Sequence, residues 1–532
     1  MTEKKNKKNN FLIGAFIIAA SHIIVKLIGA VYKIPLDKLI LGTIGMGIYS
    51  SSYQIYNWLF VISTAGLPVA ISKLVAEARA VGNYKEAEKI FKISKNLLFA
   101  VGIVAFLIMF VFAAPFSKMI SADSAALTMM VMAPSLFFVA MSSSYRGYYQ
   151  GRNNMMPTAI SEIIEAFCKL VFGLTFAYFA MKIYKEYYIG SAAAIAGITL
   201  GTFASFVYLI VYNRLKREKL DSTYLKNHVS SSKTILLKLV RLAVPVTLGV
   251  SVFTLTSLID TAMVMNQLHG LGYPEEARLS MYGYLNRAIT LFNLPPTVIA
   301  AIAVSIVPVV AGALAVNNKE EAAKNVKSAL KITVLFAMPC AAGLSALAKP
   351  VLQLLYADGN YSFLLNIMGI AVLFVTVVQV SNAMLQAYGK PWIPVIDMLI
   401  GGCVKVFVNL ILVSQPEINI NGAPIGTMLC YFTVMTLNII RLKKISGVKF
   451  GITGFILKPV LLGIITAVSA FYSYNFIIGF TGNVVATALS ICFAAFCYFI
   501  TMLFVKALSK DEVLLLPKGE KILGLMERFR LI

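Results

Sequence analysis

The ionisable residues that interrupt the apolar stretches of this 532-residue chain are where its chemistry must sit. The run Phe11 to Leu36 is long enough, at 1.5 Å per helical residue, to cross a hydrocarbon core of roughly 30 Å. Along it, His22, Lys26 and Lys33 share one helical stripe. A lysine in mid-membrane costs about 2.5–3.5 kcal/mol on insertion scales, and by default it faces a bundle interior or a water-filled cavity. Lys26 is therefore read as a cavity cation, or else as the partner of a carboxylate on a neighbour. Lys33 is a second cavity cation or a side chain snorkelling to an interface. The next run is polar for a membrane helix and includes Tyr53 and Asn57. Tyr49, Tyr53 and Tyr56 fall on one face, which suits a sugar-like ligand, or equally interhelical hydrogen bonds and an aromatic belt. Further on, Glu165 and Lys169 are spaced to pair along one helix. That leaves Glu162 to hold a coupling cation or proton, and Glu162 and Glu165 are the candidate ion-coupling residues. Arg287 is either an outer interfacial anchor or a cavity cation, and its fork suits phosphate. Asp397, Lys405 and Asn409 make a second polar face, structural or lining a groove for a lipid tail.

Those residues need walls. The chain is 59% hydrophobic with only 13% charged residues and a mean hydropathy of +0.81, the profile of a polytopic membrane protein. A net charge of +24 could suggest nucleic acid, but the basic residues sit in short loops between apolar spans, as the positive-inside rule requires. The basic start, Lys4 to Lys8, runs into a long span with no small-residue cleavage site, so no cleavable signal is expected. The six cysteines lie in apolar segments without metal-ligand spacing and read as buried packing residues. No phosphate-binding loop, HExxH or GxSxG is present, and three histidines leave little for acid–base catalysis. No catalytic residue, cofactor, metal or nucleic-acid partner is assigned.

The expected fold is all-α, with about fourteen transmembrane spans. They fall near 11–36, 46–75, 95–117, 124–149, 157–181, 189–212, 236–263, 284–314, 330–355, 361–388, 392–413, 422–441, 453–476 and 484–507. Basic loops place both termini on the cytoplasmic side. Gly66 and Pro68 interrupt the second span, and Leu294-Pro295-Pro296 the eighth, where a kink or unwound turn is expected. Basic segments beginning at Arg79 and Asn317 read as amphipathic helices entering the following span. An internal repeat runs at a shift of 235 positions, carrying Glu86-Ala87 and Lys89 onto Glu321-Ala322 and Lys324, and Ala113-x-Pro115 onto Ala348-x-Pro350. It spans six helices and so predicts two lobes of like orientation with the central site between them. The divisions are 1–215 for the first lobe, 216–235 for a cytoplasmic linker and 236–445 for the second lobe. Two extra spans occupy 446–508, and 509–532 forms an interfacial tail.

Several stretches carry a family likeness. Ser63-Thr-Ala-Gly-Leu-Pro-Val-Ala-Ile-Ser-Lys-Leu-Val-Ala-Glu77 resembles a signature of the polysaccharide transporter family, in its stage V sporulation protein B branch. Tyr145-Arg-Gly-Tyr-Tyr-Gln-Gly151, followed by Pro157-Thr-Ala-Ile-Ser161 and Glu165, resembles it too, as does Tyr282-Gly-Tyr-Leu-Asn-Arg287. The likeness covers most of residues 10–450. The branch belongs to the superfamily of multidrug/oligosaccharidyl-lipid/polysaccharide (MOP) exporters and is similar to MurJ-type lipid II flippases. It implies a two-lobed, alternating-access transporter for a polyprenyl-pyrophosphate-linked saccharide in the plasma membrane, not an enzyme. Membrane lipids and cell-wall synthesis enzymes would be its further partners. In the MurJ-type relatives, cations of spans 1 and 8 line the cavity, and Lys26 and Arg287 are the matching residues. The rival expectations are a cation-coupled drug antiporter of the same superfamily, a membrane glycosyltransferase or polymerase, and a non-transporting scaffold.

Overall fold

The computed structural model describes residues 2–216, 229–448, 451, 453–505 and 507; most of the expected linker and the tail at 509–532 lie outside the described residues. Every regular element among the described residues is a helix. The first ten α-helices are α1 (Thr2–Pro35), α2 (Gly42–Thr64), α3 (Leu67–Ala80), α4 (Tyr84–Val111), α5 (Ala113–Met119), α6 (Ala125–Gly151), α7 (Met156–Tyr184), α8 (Tyr187–Leu215), α9 (Ser232–Gly270) and α10 (Glu275–Phe292). There follow α11 (Leu294–Ala315), α12 (Lys319–Ala346), α13 (Ala348–Tyr356), α14 (Ser362–Ala387), α15 (Trp392–Leu412), α16 (Gly422–Ser446), α17 (Lys458–Ile477) and α18 (Asn483–Phe504). Twelve stretches of the described residues are long and apolar enough to cross a membrane, the first running from Ala20 to Ala80.

Breaks fall where backbone chemistry requires them. α2 gives way to α3 at Ala65-Gly66, with Pro68 in the first turn of α3, where a missing N–H costs nothing. Gly66 is also a close approach: a side-chain carbon there would overlap the carbonyl oxygen of Ala243 on α9. Its freed N–H donates to Thr247 Oγ1 at 3.1 Å. The eighth predicted span likewise divides at Asn293, with Pro295 opening α11. The basic segments form the first turns of α4 and α12 themselves. Asn83 Oδ1 accepts from the Glu86 N–H at 3.1 Å, while its amide donates to Glu86 Oε2 at 2.8 Å. The same reciprocal cap recurs between Asn318 and Glu321, at 3.1 and 2.7 Å.

The chain divides into two units, Met1–Gly283 and Tyr284–Ile532, with the division inside α10. In the first unit α6 packs on α4 and α8, α7 on α8 and α1, and α9 on α2, α3 and α4. Its core includes Ile71, Val75, Leu98, Ala140 and Leu239. At the α7–α8 crossing Gly197 lies against the Gly173 backbone, the small-residue contact that lets membrane helices approach closely. Gly173 also leaves room for the ring of Tyr32, whose hydroxyl donates to Ala194 O on α8 at 3.1 Å. In the second unit α14 packs on α11, α12 and α16, and α17 on α18 and α12. Val326, Ala329, Val380 and Met384 are central to its core. Large apolar side chains are exposed along the helices, as on α18 at Phe493, Phe496, Phe499 and Phe504, where lipid rather than water is the natural neighbour. The expectation of six buried cysteines needs correction. Cys430 is buried, but Cys403 and Cys492 are exposed, because a thiol is apolar enough to face hydrocarbon.

Candidate functional site

Within the first unit, α1, α2, α6, α7 and α8 enclose a cavity of about 200 Å³. Its polar wall carries Arg146, Glu162, Glu165 and Lys169, and its aromatic wall Tyr32, Tyr53, Tyr56 and Phe60. The aromatic wall follows from helical spacing. Tyr49, Tyr53, Tyr56 and Phe60 succeed one another along one face of α2, their neighbouring ring centroids 6.3, 5.6 and 5.9 Å apart. Tyr32 of α1 extends the ladder, 6.2 Å from Tyr49.

The polar wall is built around Arg146. Its Nε donates to Ser161 Oγ at 3.0 Å, and its Nη2 to Ser205 Oγ and Glu165 Oε2, each at 3.0 Å. Two helices, α7 and α8, thus hold the guanidinium of a third, and its side chain is only 14% exposed. The short α6–α7 connection makes the arrangement possible, since Arg146 stands about one and a half turns before it and Ser161 about one and a half turns after. Glu162 lies 3.3 Å from His22 Nε2 and accepts from Ser21 Oγ at 3.4 Å, tying α7 to α1. Lys169 points elsewhere, its ammonium 4.9 Å from the Tyr32 ring centroid and 5.8 Å from that of Tyr53.

The pairing of Glu165 with Lys169 expected from their spacing is therefore absent. Glu165 meets a guanidinium already held by two serines, a better fixed and more delocalised donor than a lysine on its own helix. Tyr53, Glu162 and Glu165 are brought together at the cavity. Lys26 is exposed on α1, Lys33 is half-buried, and neither is among the cavity's lining residues. Lys33 lies within electrostatic reach of Asp37 and Lys169. Asn57, half-buried on α2 one turn beyond Tyr53, is also off the lining. Arg146 was missed as a site residue because it sits near the basic end of its span, where an arginine is read as a loop charge. The signal that could have found it is its place in the Tyr145–Gly151 motif, facing Ser161 across a short turn.

Arg287 belongs to the second unit and is 6% exposed. It donates to Asp358 Oδ2 at 3.2 Å and lies 5.0 and 4.9 Å from the Tyr284 and Tyr356 ring centroids. Tyr284 also donates to Asp358, at 2.6 Å. Burial alone would raise the Asp358 carboxyl. The hydrogen bonds from Tyr284 and the Asn360 N–H and the nearby Arg287 charge outweigh it, holding the group below the usual carboxylate range. A lowered folded-state pKa means the stability from this contact is present at neutral pH and lost as pH falls through that pKa. In the same unit Asp397, fully buried, takes Arg441 of α16 at 2.9 Å.

The fold that holds this charged cavity is shared with solved flippase and transporter structures. It matches the lipid II flippase MurJ in an inward closed conformation with a TM-score of 0.69, covering 93% of this chain and 98% of that one at 17% identity. An inward-facing multidrug resistance MATE family transporter of the MOP superfamily matches with a TM-score of 0.63, covering 80% of this chain and 100% of that one at 16% identity. The family model described as polysaccharide biosynthesis protein matches residues 11–314, and the chain belongs to that family. The uncharacterized membrane protein YabM of Bacillus subtilis (strain 168) is 27% identical over 97% of this chain and 96% of its own length. Stage V sporulation protein B of the same organism is 24% identical over 96% of this chain and 98% of its own. The protein is accordingly a multi-pass membrane protein.

Proposed function

We propose that the protein is a flippase that moves a polyprenyl-pyrophosphate-linked saccharide across the plasma membrane by alternating access. The substrate would be a cell-wall precursor or a polysaccharide repeat unit. The observation that carries this reading is the cavity of the first unit, with four ionisable side chains and an aromatic ladder among membrane-spanning helices. A hydroxylated headgroup needs such polar partners, while its tail can remain in lipid. Family membership and the names of the relatives support the same substrate class. The two-lobe division at 1–215 and 236–445, the extra spans, and headgroup contacts by Lys26, Lys33, Tyr53, Asn57 and Arg287 are parts of this proposal. A pyrophosphate with roughly two negative charges gains about 4.6 kcal/mol moving outward across 100 mV, inside negative, so membrane potential alone can bias export. Depletion of the protein should cause lipid-linked saccharides to accumulate in a mass analysis of membrane lipids.

A second reading, a cation-coupled drug antiporter, is favoured by Glu162 and Glu165 on the cavity wall. Depletion without any lipid-linked accumulation, but with new sensitivity to cationic drugs, would select it.

Cytoplasmic termini place the first turns of α4 and α12 inside and the α9–α10 connection outside. Asn83 and Asn318 are caps, and Gly272 has a positive φ of 83°, so the exposed neighbours Lys85, Glu320 and Glu276 are better labelling sites. In a background lacking the six cysteines, cysteine at Lys85 or Glu320 should react only with permeant thiol reagents. Cysteine at Glu276 should be blocked by impermeant ones. The reverse pattern would invert the proposed orientation.

A further inference from the structure

Charge on the cavity wall does not balance locally. Arg146 is engaged by Glu165 and two serines, and Glu162 is answered by His22 and Ser21. Lys169 is different: among the described residues no carboxylate lies within ion-pair range of its ammonium, which rests over the faces of Tyr32 and Tyr53. A half-buried lysine in this position favours an anionic ligand group beside it. The space is small, about 200 Å³, below the roughly 300–1,000 Å³ of pockets that take drug-sized molecules. It has room for one sugar ring, not for a whole oligosaccharide. Tyrosine faces suit the C–H face of such a ring, and the guanidinium and carboxylates suit its hydroxyls.

We propose that this cavity is a subsite for a single pyranose ring bearing one carboxylate, an acidic sugar in the saccharide headgroup. Lys169 takes the carboxylate, Tyr53 and Tyr56 take the ring face, and the outer edges of Arg146 and Glu162 take hydroxyls. Pyrophosphate fits the site poorly, because Glu162 and Glu165 on the same wall repel a second negative charge. This assignment rests on the flippase reading and narrows its substrate.

The test uses full-length protein in lipid nanodiscs, with ligand binding followed by saturation-transfer NMR for glucuronate, glucose and inorganic pyrophosphate. Glucuronate should bind about tenfold tighter than glucose, the ratio of one charge-assisted contact. Lys169→Met should bring the two sugars within about twofold of each other, and Lys169→Arg should restore the preference. Equal binding of both sugars by the unaltered protein overturns the proposal. So does binding of neither, or displacement of glucuronate by pyrophosphate at lower concentration than by glucuronate itself. These outcomes are read on the unaltered chain, so they decide the matter even if the methionine variant fails to fold. Accumulated lipids keep the two readings separate. No lipid-linked saccharide on depletion defeats the flippase reading, whereas lipid-linked saccharides lacking an acidic sugar defeat only the subsite.

Discussion

Arg146→Met is expected to cost the folded protein about 2–3 kcal/mol, below the roughly 3–5 kcal/mol for breaking a fully buried ion pair, because Glu165 keeps 30% of its side chain exposed. The loss comes from what is left behind. Methionine fills much of the same volume, but the Glu165 carboxylate is stranded and the Ser205 hydroxyl loses its donor. Ser161 suffers less, since it still donates to Thr158 O at 2.7 Å. Glu165→Gln should be milder, because Arg146 retains both serines. The double variant Arg146→Met/Glu165→Gln should be more stable than Arg146→Met alone, since removing the stranded charge removes most of its penalty. Thermal unfolding in detergent measures all three. Strictly additive losses would mean that Arg146 acts through its packing and not through Glu165.

An equal or larger effect is expected in the second unit. Arg441→Met should cost about 3–5 kcal/mol, the range for uncovering a buried charge. Asp397 is fully buried whereas Arg441 is 34% exposed, so the penalty belongs almost wholly to the carboxylate. Combining Arg441→Met with Asp397→Leu should bring stability close to that of the unaltered protein, because an apolar pair can replace a buried ion pair at little net cost. The same unfolding assay decides. If Arg441→Met alone unfolds at the normal temperature, the pair is not what accommodates Asp397.

What could be read from the sequence were the statements residues make about their own backbone. Gly66-x-Pro68 and Asn293-Leu294-Pro295 announce breaks because glycine and proline act on the chain they belong to, and both breaks are present. The tyrosine face of α2 was legible because helical periodicity fixes which residues share a side. Partners across helices were not. Spacing puts Lys169 within reach of Glu165, yet it cannot show that α6 delivers a guanidinium to the same carboxylate. A stripe containing Lys26 and Lys33 gives an angle around α1 but not the neighbour at that angle, and the cavity opens instead toward Tyr32 and Gly29. Asp397 was assigned to the face of Lys405, while its partner is Arg441, more than forty positions further along.

The aromatic ladder has an optical consequence. Rings spaced 5.6 to 6.3 Å apart are close enough for ultraviolet excitation absorbed by one tyrosine to migrate to the next. Trp58 stands two residues beyond Tyr56 on the same helix, and tryptophan, with the lower excited state, is the natural end of that migration. Only one other tryptophan exists in the chain, Trp392, so replacing it leaves a single indole emitter, on the helix that carries the ladder. Light absorbed by the wall would then emerge from one known indole, and whatever occupies the space between Tyr53 and Lys169 would alter its yield without any attached dye.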